Sequence, residues 1–213
     1  MASKSLPPIT VGKDEYAERI AHVIADAFAG DALNRAAVLS LDSLPNDAEI
    51  PRERRIKHFL PSIKTRVGLG AHLVEAGDWA AVALWVPPDV KLPPPDLSTL
   101  PAPLVEYKQK YTAAKKRHLG DRSHWYLNLL GRHPERQEPG AIRALFDPCL
   151  LQARKAGLPA WVEATNAHAR DVYVHFGFKV VEVVVIGKGS IDANGNFVSG
   201  GRGVTTYGML AEP

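Results

Sequence analysis

The chain is poor in the residues that build disulfide scaffolds and metal centres. It has one cysteine, Cys149, in 213 residues, so an intramolecular disulfide is excluded and a reducing, cytoplasmic location is expected. No group of Cys and His has metal-ligand spacing, so no metal is expected. No apolar run reaches the ~20 residues needed to cross a bilayer. The first eight residues lack the apolar core of a secretory signal, and no membrane partner is expected. A net charge of +3 makes no case for nucleic acid, although it favours an anionic ligand. There is no internal repeat.

A hydrophobic content of 46% with 23% charged residues belongs to a globular protein, and 213 residues suffice for one domain with a sizeable core. Ile9-Thr10-Val11 reads as a short strand, and Asp14 can cap a helix with Tyr16, Ile20, Val23, Ile24, Ala27 and Phe28 on one face. Residues 30–50 read as irregular, and residues 51–67 as a second helix. Residues 71–76 and 79–86 alternate like paired strands around a Gly77-Asp78 turn. Seven prolines in residues 87–103 make an extended excursion. After it, Leu104, Tyr107, Tyr111 and Ala114 form a helical stripe through a lysine-rich run, whose charges read as a solvated face. Residues 187–203 form a Gly-rich loop, either an extra hairpin or a flap, before a last strand over 204–211.

Two segments carry chemistry. From Ala160 to Ile186 the pattern is strand, helix, strand. Asn166 is suited to cap the helix. Ala169, Val172, Tyr173 and Phe176 share a stripe, and Gly177 is suited to the helix end. Upstream, an aromatic and apolar strand over 124–131 runs into a turn, with a helix expected to start near Glu138 or Pro139. Free N–H groups at such a start favour anions. Ile142, Leu145, Phe146, Cys149, Ala153 and Ala156 form the apolar stripe of that helix, so Cys149 reads as a buried thiol and not a nucleophile.

The frame N-x-x-A-x-x-h-Y-x-x-x-G-F over Asn166–Phe178 resembles the GNAT superfamily of acyl-CoA-dependent N-acyltransferases. Gln137, Gly140 and Ile142 match that family's pyrophosphate turn, Q/R-x-x-G-x-G/A. Ile142 stands where Gly or Ala is usual, and Pro139 offers no amide hydrogen. Residues 143–165, with a proline inside the helix, then Ala156-Gly157-Leu158-Pro159 and Glu163-Ala164-Thr165, are similar to puromycin-type small-molecule N-acetyltransferases.

The resemblance implies an α/β fold with a mixed, mostly antiparallel sheet of six or seven strands flanked by helices. Its strands over 124–131 and 160–165 are parallel and splayed apart. It implies acetyl transfer from acetyl-CoA to a small-molecule amine by direct attack in a ternary complex, in a monomer or homodimer. The alternative is a catalytically inactive CoA-binding or protein-interaction domain. Tyr173 is implied as the proton donor to the leaving thiolate, and Glu163 is a candidate base; His124 and His133 are weaker ones. Leu129, Leu130, Gly131, Arg132, Arg136, Gln137, Gly140, Ala141, Ile142, Asn166 and Tyr173 are expected along the cofactor. Trp85 and Asn128 are expected at the substrate pocket.

Overall fold

The computed structural model describes residues 9–12, 14–136 and 138–213, so Gln137 lies outside the described residues. Strands β1 (Ile9–Gly12), β2 (His72–Ala76), β3 (Ala81–Val86), β4 (Trp125–Arg132), β5 (Ala160–Ala164), β6 (Lys179–Ile186) and β7 (Val204–Ala211) form one sheet in the order β1-β2-β3-β4-β5-β7-β6. Every neighbouring pair is antiparallel except β4 and β5. The Pro-rich excursion therefore falls inside a single sheet, with three strands before it and four after.

Alternation along the strands sorts side chains onto two faces. Leu84, Tyr126 and Trp161 join a core with helices α1 (Asp14–Ala27), α2 (Ala32–Leu41), α3 (Arg52–Gly68) and α4 (Ala102–His118). Trp85, Trp125, Leu127 and Val162 join a second core under α5 (Ala141–Lys155) and α6 (Ala167–His175). Here Phe146 stacks on Phe176 at 4.2 Å and meets Trp85 and Phe178 edge-on.

The register between β3 and β4 slips at one place. Leu84 pairs with Leu129, but Trp85 pairs with Leu127, so Asn128 is an extra residue in β4. Such a bulge bends its strand and resets the alternation: Leu129 packs on the α1 face and Leu130 on the α5 face. On its other side β4 pairs with β5 only over Trp125–Leu127 and Ala160–Val162. The bulge thus marks where the two parallel strands part.

Three expectations are corrected. Residues 30–50 are not wholly irregular: Asp31 caps α2 by accepting a hydrogen bond from the Asn34 amide at 2.9 Å, and alanines and leucines carry the helix. Trp79 belongs to the turn and not to β3. It has φ of 68°, and its amide donates to buried Glu75 at 2.8 Å. The helix expected from Glu138 or Pro139 begins at Ala141, because Gly140 adopts a left-handed φ of 83° that closes the preceding turn. The loop 187–203 carries an isolated bridge, Ile191 to Phe197. It docks beyond α2, where Asn46 bonds both the N–H and the C=O of Phe197.

Gly131 brings β4 against α1. A Cβ there would lie 2.9 Å from Ile24 Cδ1 and 3.1 Å from Ala27 Cβ. Gly131→Ala should therefore destabilise the fold by about 1–3 kcal/mol through overpacking, read as a lower urea midpoint at unchanged slope.

Candidate active site

Where β4 and β5 part, polar groups collect from both faces of the sheet. Asn128, Leu129 and Leu130 are only half-buried, whereas Trp125–Leu127 are buried. Backbone groups on the β5-facing edge of β4 lose their strand partner beyond Leu127, and buried backbone groups need one.

On the α5 side stands Tyr173. The N-cap predicted at Asn166 forms, its Oδ1 accepting from the Ala169 amide at 2.9 Å. This fixes the phase of α6 and turns Tyr173 inward, 7% exposed, against Phe146 and Phe178. Among the described residues its hydroxyl has no hydrogen-bond partner. Burial pushes its pKa well above the usual phenol range, with Tyr126 and Asp31 adding to the shift. Asp31 is itself buried and accepts from Thr165 Oγ1 at 2.5 Å, tying the start of α2 to the end of β5.

The start of α5 has unpaired donors. The Ala141 amide turns back to Glu138 O at 3.3 Å, so it is not the free donor expected from the sequence. The amides of Gly140, Ile142 and Arg143 have no partner among the described residues. The Ile142 side chain is half-buried against the α5 core, which accounts for a bulky residue there. Of the neighbouring arginines, Arg136 is occupied on the β2–β3 turn, donating to the carbonyls of Gly77 and Asp78. Arg132 donates to Arg136 O at 3.2 Å and is otherwise exposed. Arg143 lies over the Phe176 ring, with its Nη2 3.3 Å from His175 Nε2.

On the α4 side stands Glu163, whose two oxygens take four donors. Oε1 accepts from Lys115 Nζ at 2.8 Å and Trp161 Nε1 at 2.9 Å. Oε2 accepts from Tyr107 at 2.5 Å and Tyr126 at 3.0 Å. Burial alone would raise its pKa, but the Lys115 charge and the hydrogen bonds outweigh it and hold the carboxyl at about 2. A carboxylate so bonded is a poor proton acceptor, so the geometry disfavours Glu163 as the base. The Tyr126 hydroxyl gives its proton to Glu163 and accepts from Asn128 Nδ2 at 3.0 Å. Among the described residues Asn128 Oδ1 has no hydrogen-bond partner.

Trp85 does not reach this cleft. It has no exposed surface and donates its indole N–H to Leu145 O at 3.1 Å, so it is a core residue. His124 and His133 make local contacts with the Arg122 carbonyl and the Glu135 amide. Lys115, Tyr107 and Tyr126 were not among the expected site residues. A signal was present, since Lys115 follows Tyr107 and Tyr111 at steps of four and so continues their buried stripe. The lysine-rich run is thus not simply a solvated face.

No family model matches the chain. Increased recombination centers protein 11 of Saccharomyces cerevisiae is 35% identical over 88 residues, 41% of this chain and 56% of that protein. An uncharacterized N-acetyltransferase of Schizosaccharomyces pombe is 28% identical over 124 residues, half of each chain. The chain thus spans about half the length of these two relatives. A structure described as histone acetyltransferase HPA2 and related acetyltransferase, from Corynebacterium glutamicum, superposes with a TM-score of 0.60 at 20% identity, over 98% of this chain and 97% of that one. The mixed sheet with one parallel pair is the fold of the GNAT acetyltransferases.

Removing one partner of a buried ion pair strands the other. Lys115→Met should therefore destabilise the protein by about 3 kcal/mol, and a Lys115→Met/Glu163→Met double variant by less. Glu163 is depressed from 4.5 to about 2. Its contribution should be complete above pH 4.5 and lost as pH falls toward 2. Urea unfolding of wild type and Glu163→Gln across that range would show the two curves converging at the acid end.

Proposed function

We propose that the chain transfers an acetyl group from acetyl-CoA to the amine of a small molecule, both reactants meeting where β4 and β5 part. The observation that carries this is the split itself: an open edge of β4, flanked on one face by the unpartnered Tyr173 hydroxyl and on the other by Asn128.

The residues fit acetyl-CoA as donor. The amides of Gly140, Ile142 and Arg143 and the exposed Arg132 suit its pyrophosphate, and the β4 edge over Leu129, Leu130 and Gly131 suits the amides of its pantetheine arm. Asn166 stands at the start of α6 and frames that arm. Acetyl-CoA supplies the activated thioester. The chain's part is to hold both reactants in one cleft, which lowers the entropic share of the barrier, and to offer a β4 N–H to the charge developing on the carbonyl oxygen.

Tyr173 keeps a proton at Oη where a departing thiolate needs one, and its raised pKa keeps it protonated through neutral pH. Asn128 Oδ1 accepts a hydrogen bond from the incoming amine. The amine forms the N–C bond as the C–S bond breaks. The sulfur takes the Tyr173 proton, and a proton released by the amine passes through water to restore the tyrosine. Glu163, already fully bonded, positions Tyr126 and Asn128 and takes no proton.

The test is thioester turnover with aryl, aliphatic and amino-sugar amines. Tyr173→Phe should lower kcat by about 10²-fold and weaken CoA binding much less, since the lost interaction is made mainly in the transition state. Wild-type turnover in this variant would reduce Tyr173 to packing. Absence of CoA binding by calorimetry would remove the reading altogether.

A further inference from the structure

The cluster on the α4 side of the split carries more positive charge than its carboxylate can balance. Glu163 neutralises Lys115, whose Nζ also sits 3.7 Å above the Tyr126 ring. Two further cations belong to the same neighbourhood. Lys108, one helical position after Tyr107, lies with its Nζ 5.8 Å from the centre of that ring and is half-buried. Neither a hydrogen bond nor an ion pair holds it among the described residues. Arg66, near the end of α3, spends Nη1 on the Ser62 carbonyl of its own helix at 2.9 Å. Its Nε is buried and has no hydrogen-bond partner among the described residues.

Both features cost free energy. A buried donor left unsatisfied is rare in folded proteins and calls for an explanation, and a guanidinium N–H is among the costlier groups to leave so. Lys108 has only an aromatic face for company. Burial holds its pKa below the usual lysine range. Arg66 and Lys115 push it the same way against the opposing pull of Glu163. Lys115 feels the same Arg66 charge. Glu163 is the carboxylate that acts most strongly on both lysines. The region is therefore a positive field with one buried donor unpaired among the described residues.

We infer that Arg66 and Lys108 form an anion-binding subsite for the acceptor, whose substrate is an amine that also bears a carboxylate or phosphate group. This rests on the acetyl-transfer reading and refines it. Tyr107 and Tyr126 link the subsite to Asn128 through Glu163, so one acceptor can place its anion by α3 and α4 and its amine at the split. Lys115 is not part of the subsite, because its charge is spent on Glu163. The lysine-rich run of α4, which on sequence alone has no role beyond solvation, thereby gains one at Lys108: it selects against purely cationic or neutral amines.

The test uses acceptors that differ only in the anion: tyramine against tyrosine, cadaverine against lysine, and ethanolamine against phosphoethanolamine. In wild type the anionic member of at least one pair should have kcat/KM about tenfold to a hundredfold higher, as a charged hydrogen bond allows. The first two pairs report a carboxylate and the third a phosphate. Lys108→Gln and Arg66→Gln should each cut that ratio at least tenfold through KM of the anionic acceptor, and Lys108→Arg should restore most of it. Calorimetry provides a readout apart from turnover. The preferred anionic acceptor should bind the CoA-saturated protein more tightly than its uncharged or cationic partner, and Lys108→Gln should remove the difference.

If the amines react but no pair favours the anion, or both Gln variants keep the wild-type ratio, the subsite is refuted while acetyl transfer stands. If nothing turns over, calorimetry decides: equal binding of both members of every pair refutes the subsite. If CoA itself does not bind, the acetyl-transfer reading and the subsite fall together.

Discussion

Parallel strands that stop pairing leave amides and carbonyls facing each other across a gap too wide for hydrogen bonds. In this chain that gap opens beside a bulge. Asn128 bulges β4 away from the register set by Leu127 and Trp85, and the pairing with β5 ends there. The strand edge beyond it has to satisfy its polar groups with something other than protein. Everything on which a function can be built gathers at this opening: Tyr173 from one face, Asn128 and Tyr126 from the other, and the open start of α5 at the far end of β4.

The surroundings keep the opening in shape by unequal means. On the α5 side the means are apolar. Phe146 wedges between Trp85, Phe176, Phe178 and Tyr173, so the tyrosine ring is held by packing while its hydroxyl has no partner among the described residues. On the α4 side they are electrostatic. Glu163 draws Lys115, Tyr107, Tyr126 and Trp161 onto two oxygens. Buried ion pairs seldom stabilise more than an apolar replacement would. What this one supplies is direction: because Tyr126 must donate to Glu163, it must accept from Asn128, and the amide of Asn128 is thereby oriented.

Much of the frame was legible in the chain. Asn166 as cap and Tyr173 on the inward stripe followed from spacing that depends only on local geometry, whereas the parallel strands on either side of α5 were implied by the resemblance to the GNAT superfamily. The extended Pro-rich excursion was equally plain. Other features were not. Trp125 to Leu130 is apolar throughout except at Asn128, so no break in alternation announced the bulge. Residues 30–50 held a helix whose short apolar run was hidden among turn residues. Trp85 looked able to line a pocket because a tryptophan in a strand carries no sign of which face it is on.

The sequence by itself determined the elements whose signals are short-range: the caps, the stripes, the turns and the order in which they follow. Only the tertiary structure decided what the charges do. Arg136 lies in the pyrophosphate turn by sequence, yet it holds a β-hairpin 58 residues away. Lys115 lies in a run of surface lysines, yet it ends on a buried carboxylate 48 positions further along the chain, as the residue numbers show. Glu163 ends a strand as a base might, yet its partners hold it ionised and occupied. The physical reason is common to all three. A charge acts through space on whatever the fold brings near it and is governed by how much water remains, and neither the neighbour nor the burial is written in the residues beside it.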